Sequence, residues 1–499
     1  MDRTDKLPDP ILGHILSFLP AKLATRTSIL SSRWRDLWKH AWASATTLDF
    51  TGDFARRQTP DQLVASVDRH LHLHTGNKIS TLRVSLHPAG PYQEHLDRWI
   101  EFAAARWVEE LDLDFCPPGE EINYDYVMAD GERHPFKIPN ALYSSGSLTH
   151  LTLGFCNLCP PVDFGSFRLL KSLSFRCVNV DDAMLRGALA DCPLLETLSL
   201  RECVRLSSIE IASPTTRLKR LVLVDCWEIK KVWVLAPSVE SFRFFGEIYC
   251  LDFSFDGASS LADAFICSIG RESSEPEHDY LKLLSELAHV RILTVCPATL
   301  SRVTIWEEFM EEDYLPVPLE SLQELQLLMH TMNAEYLSYI YGFLRLCPSP
   351  FLEKLFIRLP KVLEDPTLSS AKHEVIEGPQ SVSFEHLKTV KMTNFKGSHS
   401  ELELVKFLLA RATNLEYMVL VAPPIPMLDD DRSKLVEYLK SESRIVANLD
   451  LKALYTQLVS LPKASSHVQI VLSKYQEADS SLNPTHSSVC CDEELNWWM

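Results

Sequence analysis

The sequence predicts an α/β solenoid, a curved parallel sheet with helices and loops on its convex side, entered through a compact three-helix segment. Three observations lead there. A short apolar pattern, L-x-x-L-x-L, recurs through most of the chain. The first fifty or so residues instead carry large apolar side chains at helical spacing. The 499 residues, 46% hydrophobic and 23% charged, have the composition of an ordinary globular protein. Length alone predicts about three domains. A repeat array nevertheless runs as one body, because each unit buries its apolar face against the next.

In the amino-terminal segment, Asp9 is placed to cap a helix whose first position is Pro10, where a missing N–H costs nothing. Ile11, Leu12, Ile15, Leu16 and Leu19 follow at helical spacing, and Pro20 stops the run. A second short helix is predicted over about residues 22–30, and Ser31 or Ser32 caps a third carrying Trp34, Leu37 and Trp38. So short a segment buries only a small core. Its density of Leu, Ile and Trp therefore predicts a partner that covers part of it.

The same residues carry a resemblance. Leu7-Pro8-Asp9-Pro10-Ile11-Leu12, Ile15-Leu16-Ser17-Phe18-Leu19-Pro20 and Ser28-Ile29-Leu30-Ser31-Ser32-Arg33-Trp34-Arg35-Asp36-Leu37-Trp38 together resemble an F-box. That resemblance implies docking on a Skp-type adaptor and, through it, on a cullin and a RING protein. It makes Leu7, Pro8, Ile11, Leu12, Ile15, Leu16, Leu19, Leu30, Trp34, Leu37 and Trp38 the adaptor-facing or core set of an F-box over residues 1–50. The pattern does not divide surface anchors from core members. Exchanging Leu12 and Leu16 for Lys is expected to abolish docking.

The repeat is clearest in the middle of the chain. Leu148-x-x-Leu151-x-Leu153 recurs as Leu170-x-x-Leu173-x-Phe175, Leu195-x-x-Leu198-x-Leu200, Leu218-x-x-Leu221-x-Leu223 and Val239-x-x-Phe242-x-Phe244, with starts 22, 25, 23 and 21 residues apart. These periods are those of a leucine-rich repeat. Cys156, Cys203 and Cys226 fall where such a repeat places Asn or Cys to cap backbone groups inside the turn. Looser copies begin at Ile79 and Val108, and after the block at Val290, Leu322, Leu352, Leu387 and Leu415. The wider spacing implies longer helices or loops, and polar stretches Glu272–Tyr280 and Glu364–Val382 read as insertions within a solenoid over residues 51–385.

At the carboxyl end, a strand over Leu387–Phe395, a turn at Gly397, a helix opened by the capping box Ser400-Glu401-Leu402-Glu403 and a strand over Leu415–Val421 form a tighter unit. From His386-Leu387-Lys388 to Asn414-Leu415-Glu416, and again at Leu458-Val459-Ser460-Leu461-Pro462-Lys463-Ala464-Ser465, the chain resembles the FBD region of plant F-box/leucine-rich-repeat proteins. This region spans residues 386–470, and residues 477–499 read as a disordered tail.

Catalytic chemistry is not indicated. The sequence holds no G-x-S-x-G, kinase motif set, H-E-x-x-H or phosphate-cradling glycine loop, so the chain is read as a non-enzyme without cofactor. Cys156-Asn157-Leu158-Cys159 has no second C-x-x-C to complete a zinc site, and the alternation His70, His72, His74 suits the polar face of a helix, so no metal is expected. A balance of 49 basic against 67 acidic residues, net −18, argues against general nucleic-acid binding. No apolar run is long enough to span a bilayer, no secretory signal is seen, and the thirteen cysteines read as reduced thiols, so cytoplasm or nucleus is expected.

Recognition is expected on the concave sheet face, where alternate side chains point away from the leucine core. His150, Arg176, Arg201, Arg220, Arg243 and Phe245 fall there, and the four arginines predict an acidic peptide, a phosphorylated segment or an anionic small ligand as target. By resemblance, the chain is the substrate-recognition subunit of a Skp–cullin–F-box ubiquitin ligase. A repeat scaffold with no ligase role is the alternative.

Overall fold

The computed structural model describes residues 7–17, 26–34, 37, 45–56, 58–117, 136–159, 162–212, 216–246, 252–268, 280–305, 317–330, 332–360, 377–423, 451–473 and 483–485. The chain divides into two compact units, residues 1–239 with 256–260, and residues 240–255 with 261–499. Leu19, Trp38, most of both polar insertions and most of the tail lie outside the described residues.

The first unit opens with helix α1, Asp9–Ser17, and its carbonyl cap is Pro8 rather than Asp9: the amides of Ile11 and Leu12 both donate to Pro8. Asp9 sits inside the first turn, where its carboxylate meets Arg33 at 2.6 Å. A parallel ladder follows, made of β1 Thr47–Phe50, β2 Thr81–Ser85, β3 Glu110–Asp114, β4 His150–Gly154, β5 Ser172–Arg176, β6 Thr197–Arg201 and β7 Arg220–Val224. The pairing register aligns Leu48, Leu82, Leu111, Leu151, Leu173, Leu198 and Leu221 in one row, all buried. Strand alternation then sends the residues between them to the opposite face. β1 is an addition to the predicted repeats, and the F-box boundary at residue 50 had left it outside the ladder. Its copy reads Ala45-x-x-Leu48-x-Phe50, and Ala in the first apolar position hides it.

Helix α2, Pro60–Leu73, and helix α3, Gln93–Ala104, fill the first two wide spacings. A Thr59/Gln62 capping box starts α2, which buries Leu63, Val64, Val67 and Leu71; α3 buries Leu96, Trp99, Ile100 and Ala103. A third helix, α4 over Asp182–Asp191, lies between β5 and β6 and is capped by Asp181 through the Met184 amide. The histidine alternation is helical, as predicted, but its face is not simply polar. His74 is buried with Nε2 2.9 Å from the Ala45 carbonyl, and His70 packs edge-on against Phe50 and Phe54.

The residue just past each of four strands, Phe155, Cys177, Glu202 and Asp225, adopts a left-handed backbone with φ between 51° and 53°. Such a conformation is unusual for non-glycine residues, and here it recurs with the repeat. It turns the chain so that the next residue reaches back over the strand ends. Cys203 Sγ donates to the carbonyls of Phe175 and Arg201, and Cys226 Sγ to those of Leu200 and Val224. These thiols cap the backbone.

The second unit carries the parallel ladder β8 Ser241–Phe245, β9 Asp263–Cys267, β10 Ile292–Val295, β11 Glu324–Leu328, β12 Lys354–Arg358, β13 Thr389–Thr393, β14 Tyr417–Val421 and β15 Gln469–Ser473. Its register row is Phe242, Ala264, Leu293, Leu325, Leu355, Val390, Met418 and Ile470. β9 resolves the longest predicted gap: Leu261-x-x-Ala264-x-Ile266 is a copy whose central leucine is alanine. β15, with His467 where the first leucine belongs, is a further copy. Helices α5 Pro297–Ile305, α6 Ala334–Leu346, α7 His399–Arg411 and α8 Leu451–Ser460 lie between strands.

The capping box of α7 falls two residues earlier than predicted. Ser398, not Ser400, accepts from the Glu401 amide, and the Glu401 carboxylate accepts from the amides of Ser398 and Lys396. Both spacings fit S-x-x-E; Gly397 at φ 74° delivers Ser398 to the cap, which decides between them. Leu458 is buried, the Ala464 amide donates to Leu409, and Ser465 Oγ donates to Leu415, so the second FBD-like segment closes over the strand–helix–strand.

Candidate functional site

On α1, the 3.6-residue period puts Ile11 and Ile15 on one stripe and Leu12 and Leu16 on the next. Both stripes are apolar, so periodicity alone cannot orient the helix. The structure does. Leu12, Leu16, Trp34 and Leu37 form a buried cluster on which Leu7 packs. Ile11, Ile15, Ile29 and Leu30 face outward, 48%, 43%, 85% and 65% exposed, and Pro8 is exposed beside them. Arg33 fastens the arrangement, donating to Asp9 and to the Leu7 carbonyl. This corrects one expectation: Leu12 and Leu16 are core, so exchanging them for Lys removes the fold before it removes any docking surface. Ile29 joins the outward set, and only its place beside Leu30 could have suggested it.

In the first unit, the sheet face opposite the leucine row is charged toward both ends of the ladder. Arg176 and Arg201 are register partners on β5 and β6, as the repeat predicts. Arg176 Nε meets Glu202 Oε1 at 3.3 Å, and Arg201 Nε donates to Ser199 at 3.3 Å. Arg220 and His150 are exposed. Glu202, which the sequence pattern did not single out, owes its reach to the left-handed turn after β6. It also accepts from Cys177 Sγ at 3.0 Å. Toward β1, Arg83 lies 3.7 Å from Asp49 and 3.6 Å from Glu110. Next to them, burial and then neighbouring Asp114 push the Asp112 carboxyl up to about 6, against the pull of Arg83. The arginine cluster is therefore one pole of a face whose other pole is acidic.

Arg243 and Phe245 belong to the second unit, on β8. Phe245 packs against a buried cluster of Phe265, Cys267 and Cys296, with Leu328 alongside. Farther along this face Glu324 and Gln326 on β11 and Lys391 on β13 are 4%, 2% and 7% exposed. Gln326 Nε2 donates to Glu324 Oε1 at 2.7 Å, and burial pulls the Lys391 ammonium below its ordinary value. Polar side chains this deeply buried need partners, because each loses its water.

Burial pushes the Cys156 and Cys226 thiols well up, away from the reactive thiolate, whereas at buried Cys296 hydrogen bonds with Cys267, Thr299 and Ser268 outweigh burial and bring the thiol down to about 6. Among the described residues, no group of three or more His, Cys, Asp or Glu is placed to hold a metal ion. Cys490-Cys491 lies outside the described residues.

Comparison with known proteins matches two family models to the chain. The F-box domain model matches residues 5–42, and the model for the leucine-rich-repeat domain of At1g61320/AtMIF1 matches residues 70–440. Among curated relatives, the Arabidopsis thaliana F-box protein At3g62230 is 27% identical over 85% of this chain and 92% of its own length. The putative F-box/LRR-repeat protein At3g18150 from the same plant is 30% identical over 76% of each chain. The FBD-associated F-box protein At1g61320, also from Arabidopsis thaliana, is 24% identical over 85% of this chain and 89% of its own.

Proposed function

The chain belongs to the plant F-box/leucine-rich-repeat family, and from that premise we propose that it is the substrate-recognition subunit of a Skp–cullin–F-box ubiquitin ligase. The observation that carries the proposal is the outward aliphatic patch of Pro8, Ile11, Ile15, Ile29 and Leu30, standing over a separate closed core. A patch of this kind fits an apolar adaptor groove, and each Ile or Leu buried there contributes roughly 1.5–3 kcal/mol before association costs. The repeats then hold a target, and catalysis comes from proximity to a conjugating enzyme, with no reactive group from this chain. The charged sheet face of the first unit, with His150, Arg176, Arg201 and Arg220, is the proposed contact for an acidic or phosphorylated target segment.

The test is co-purification of the full chain with a Skp-type adaptor and cullin, in parallel with Ile11→Asp/Ile15→Asp. The double variant should lose adaptor binding by 100-fold or more while keeping the unmodified chain's thermal transition. Full adaptor binding by the folded double variant would remove the patch from the interface. A chain that binds targets but never carries cullin is the scaffold alternative.

A further inference from the structure

Glu324 sits on the sheet face opposite the leucine core, where solvent would ordinarily hydrate it, yet it is buried. Part of its cover comes from the far end of the chain. The Thr485 amide donates to Glu324 Oε1 at 2.8 Å, and Thr485 Oγ1 donates to Glu324 Oε2 at 2.8 Å. Two residues earlier, Asn483 Oδ1 accepts from Lys391 Nζ at 2.7 Å. Glu324 and Lys391 lie on β11 and β13, two strand spacings apart, or about 10 Å. Two residues of extended chain cover about 7 Å, and the lysine side chain closes the rest. Asn483-Pro484-Thr485 therefore crosses the strands and is read by side chains, without adding a strand of its own. Both oxygens of one buried carboxylate are engaged by a single residue through its backbone and its hydroxyl. That pairing selects a Ser or Thr in a defined backbone orientation.

Reach is not an obstacle. The nine residues 474–482 span up to about 30 Å when extended, against about 19 Å for the four strand spacings from β15 to β11. A segment tethered this way is present at an effective concentration on the order of millimolar. An external ligand meets a site already filled.

We propose that the face formed by Glu324, Gln326 and Lys391 is a peptide-recognition site, and that Asn483-Pro484-Thr485 of the same chain occupies it as an internal competitor. The external ligand is an extended peptide with an Asn or Asp that reaches Lys391 and, two residues on, a Ser or Thr that engages Glu324. Glu324 sets the hydroxyl requirement, Lys391 sets the acceptor requirement, and Gln326 holds the Glu324 carboxylate in place. The inference needs only the fold of the second unit, so failure of adaptor docking leaves it standing, and its own failure leaves the ligase reading standing.

The probe is a fluorescein-labelled peptide of residues 479–488, titrated into the full chain and followed by anisotropy. Asn483→Ala/Thr485→Ala in the full chain should bind it at least tenfold more tightly than the unmodified chain. Adding Glu324→Gln to that double variant should weaken binding again by tenfold or more, because a charge-assisted acceptor becomes a neutral one. Equal binding by the unmodified and double-variant chains, or no saturable binding by the double variant, overturns the proposal. Amide exchange in the unmodified chain gives a readout independent of any variant's folding. The Thr485 amide should exchange at least tenfold more slowly than in the free peptide, and random-coil exchange there overturns the proposal as well.

Discussion

The two units run the same repeat and turn different faces outward. On the first, the positions between the apolar residues of β1 to β5 hold Asp49, Arg83, Asp112, Thr152 and Ser174, a polar, half-buried row. On the second, the equivalent positions hold Phe265, Thr294, Gln326, Phe356 and Lys391, all buried. Both register rows are apolar and, except for Ile470 at the end of the second, buried, and both ladders are parallel throughout. The difference teaches that the repeat specifies one side of the sheet only. Leucine spacing fixes the core row because a one-residue slip would turn every apolar side chain to the other face. The residues between are unconstrained by that row, so one unit can present charge while the other buries polar groups under its own chain.

The largest expected effect concerns what the units share. Leu198→Ala on β6 and Leu325→Ala on β11 remove equivalent, fully buried side chains, and each should cost its own unit about 2–5 kcal/mol. Amide exchange by mass spectrometry reads the opening of each ladder separately. A near-zero cost at either position would mean that the register row is not the core of that unit, and the comparison would fail at its root.

Much of that shared part was legible beforehand, for a physical reason. Leu at the first, fourth and sixth positions gives a row of large side chains that nothing but neighbouring units can cover, so the strands from Leu82 to Met418 could be placed by pattern. The strands that escaped, β1, β9 and β15, each replace one of those leucines with Ala or His, at Ala45, Ala264 and His467. Parallel neighbours on either side recruit β9 despite its weak pattern. The surfaces were less legible. Ile11/Ile15 and Leu12/Leu16 are equally apolar stripes, and only the position of Trp34 and Leu37 in space chooses between them. Arg176 and Arg201 were found by alternation, but their acidic counterpart Glu202 depends on a left-handed turn that leaves no compositional mark. Glu324 and Thr485 stand 161 residues apart, and no local rule joins them.

An intermediate effect separates the units by pH. In the first unit the Asp112 carboxyl titrates at about 6, raised from 3.8 chiefly by burial. Between those values the folded chain holds the proton that the unfolded chain releases, so stability falls as pH rises through this window. Above about 6 the full penalty applies; below 3.8 both states are protonated and there is none. Asp112→Asn should therefore stabilise the first unit at pH 7 by at most about 3 kcal/mol, and by less to the extent that solvent still reaches the group. The gain should shrink toward zero near pH 4, and the second unit should not respond. Exchange-derived stabilities at pH 7 and pH 5 check this, after correction for the intrinsic exchange rate. A gain that is the same at both pH values would assign the effect to packing instead of charge.

The smallest contrast uses one column of the sheet and asks whether the cover matters. Ser174 on β5 and Gln326 on β11 occupy the same position in the repeat, between the two apolar residues of the strand. Ser174 is half-buried on the open face, so Ser174→Ala should change stability by no more than about 0.5 kcal/mol. Gln326 is 2% exposed and donates to Glu324, so Gln326→Leu leaves a buried carboxylate oxygen with one donor fewer. Such a loss costs about 1–3 kcal/mol. The lower half of that range is expected, because Thr485 still supplies two donors to the same carboxylate. In a chain that also carries Thr485→Ala, which removes the hydroxyl donor, the cost of Gln326→Leu should grow. Groups that share an acceptor are not additive, and the double-mutant cycle reads that coupling directly. If the two substitutions instead add independently, Gln326 and the carboxyl-terminal segment do not act on Glu324 together, and the buried face of the second unit would be held by packing alone.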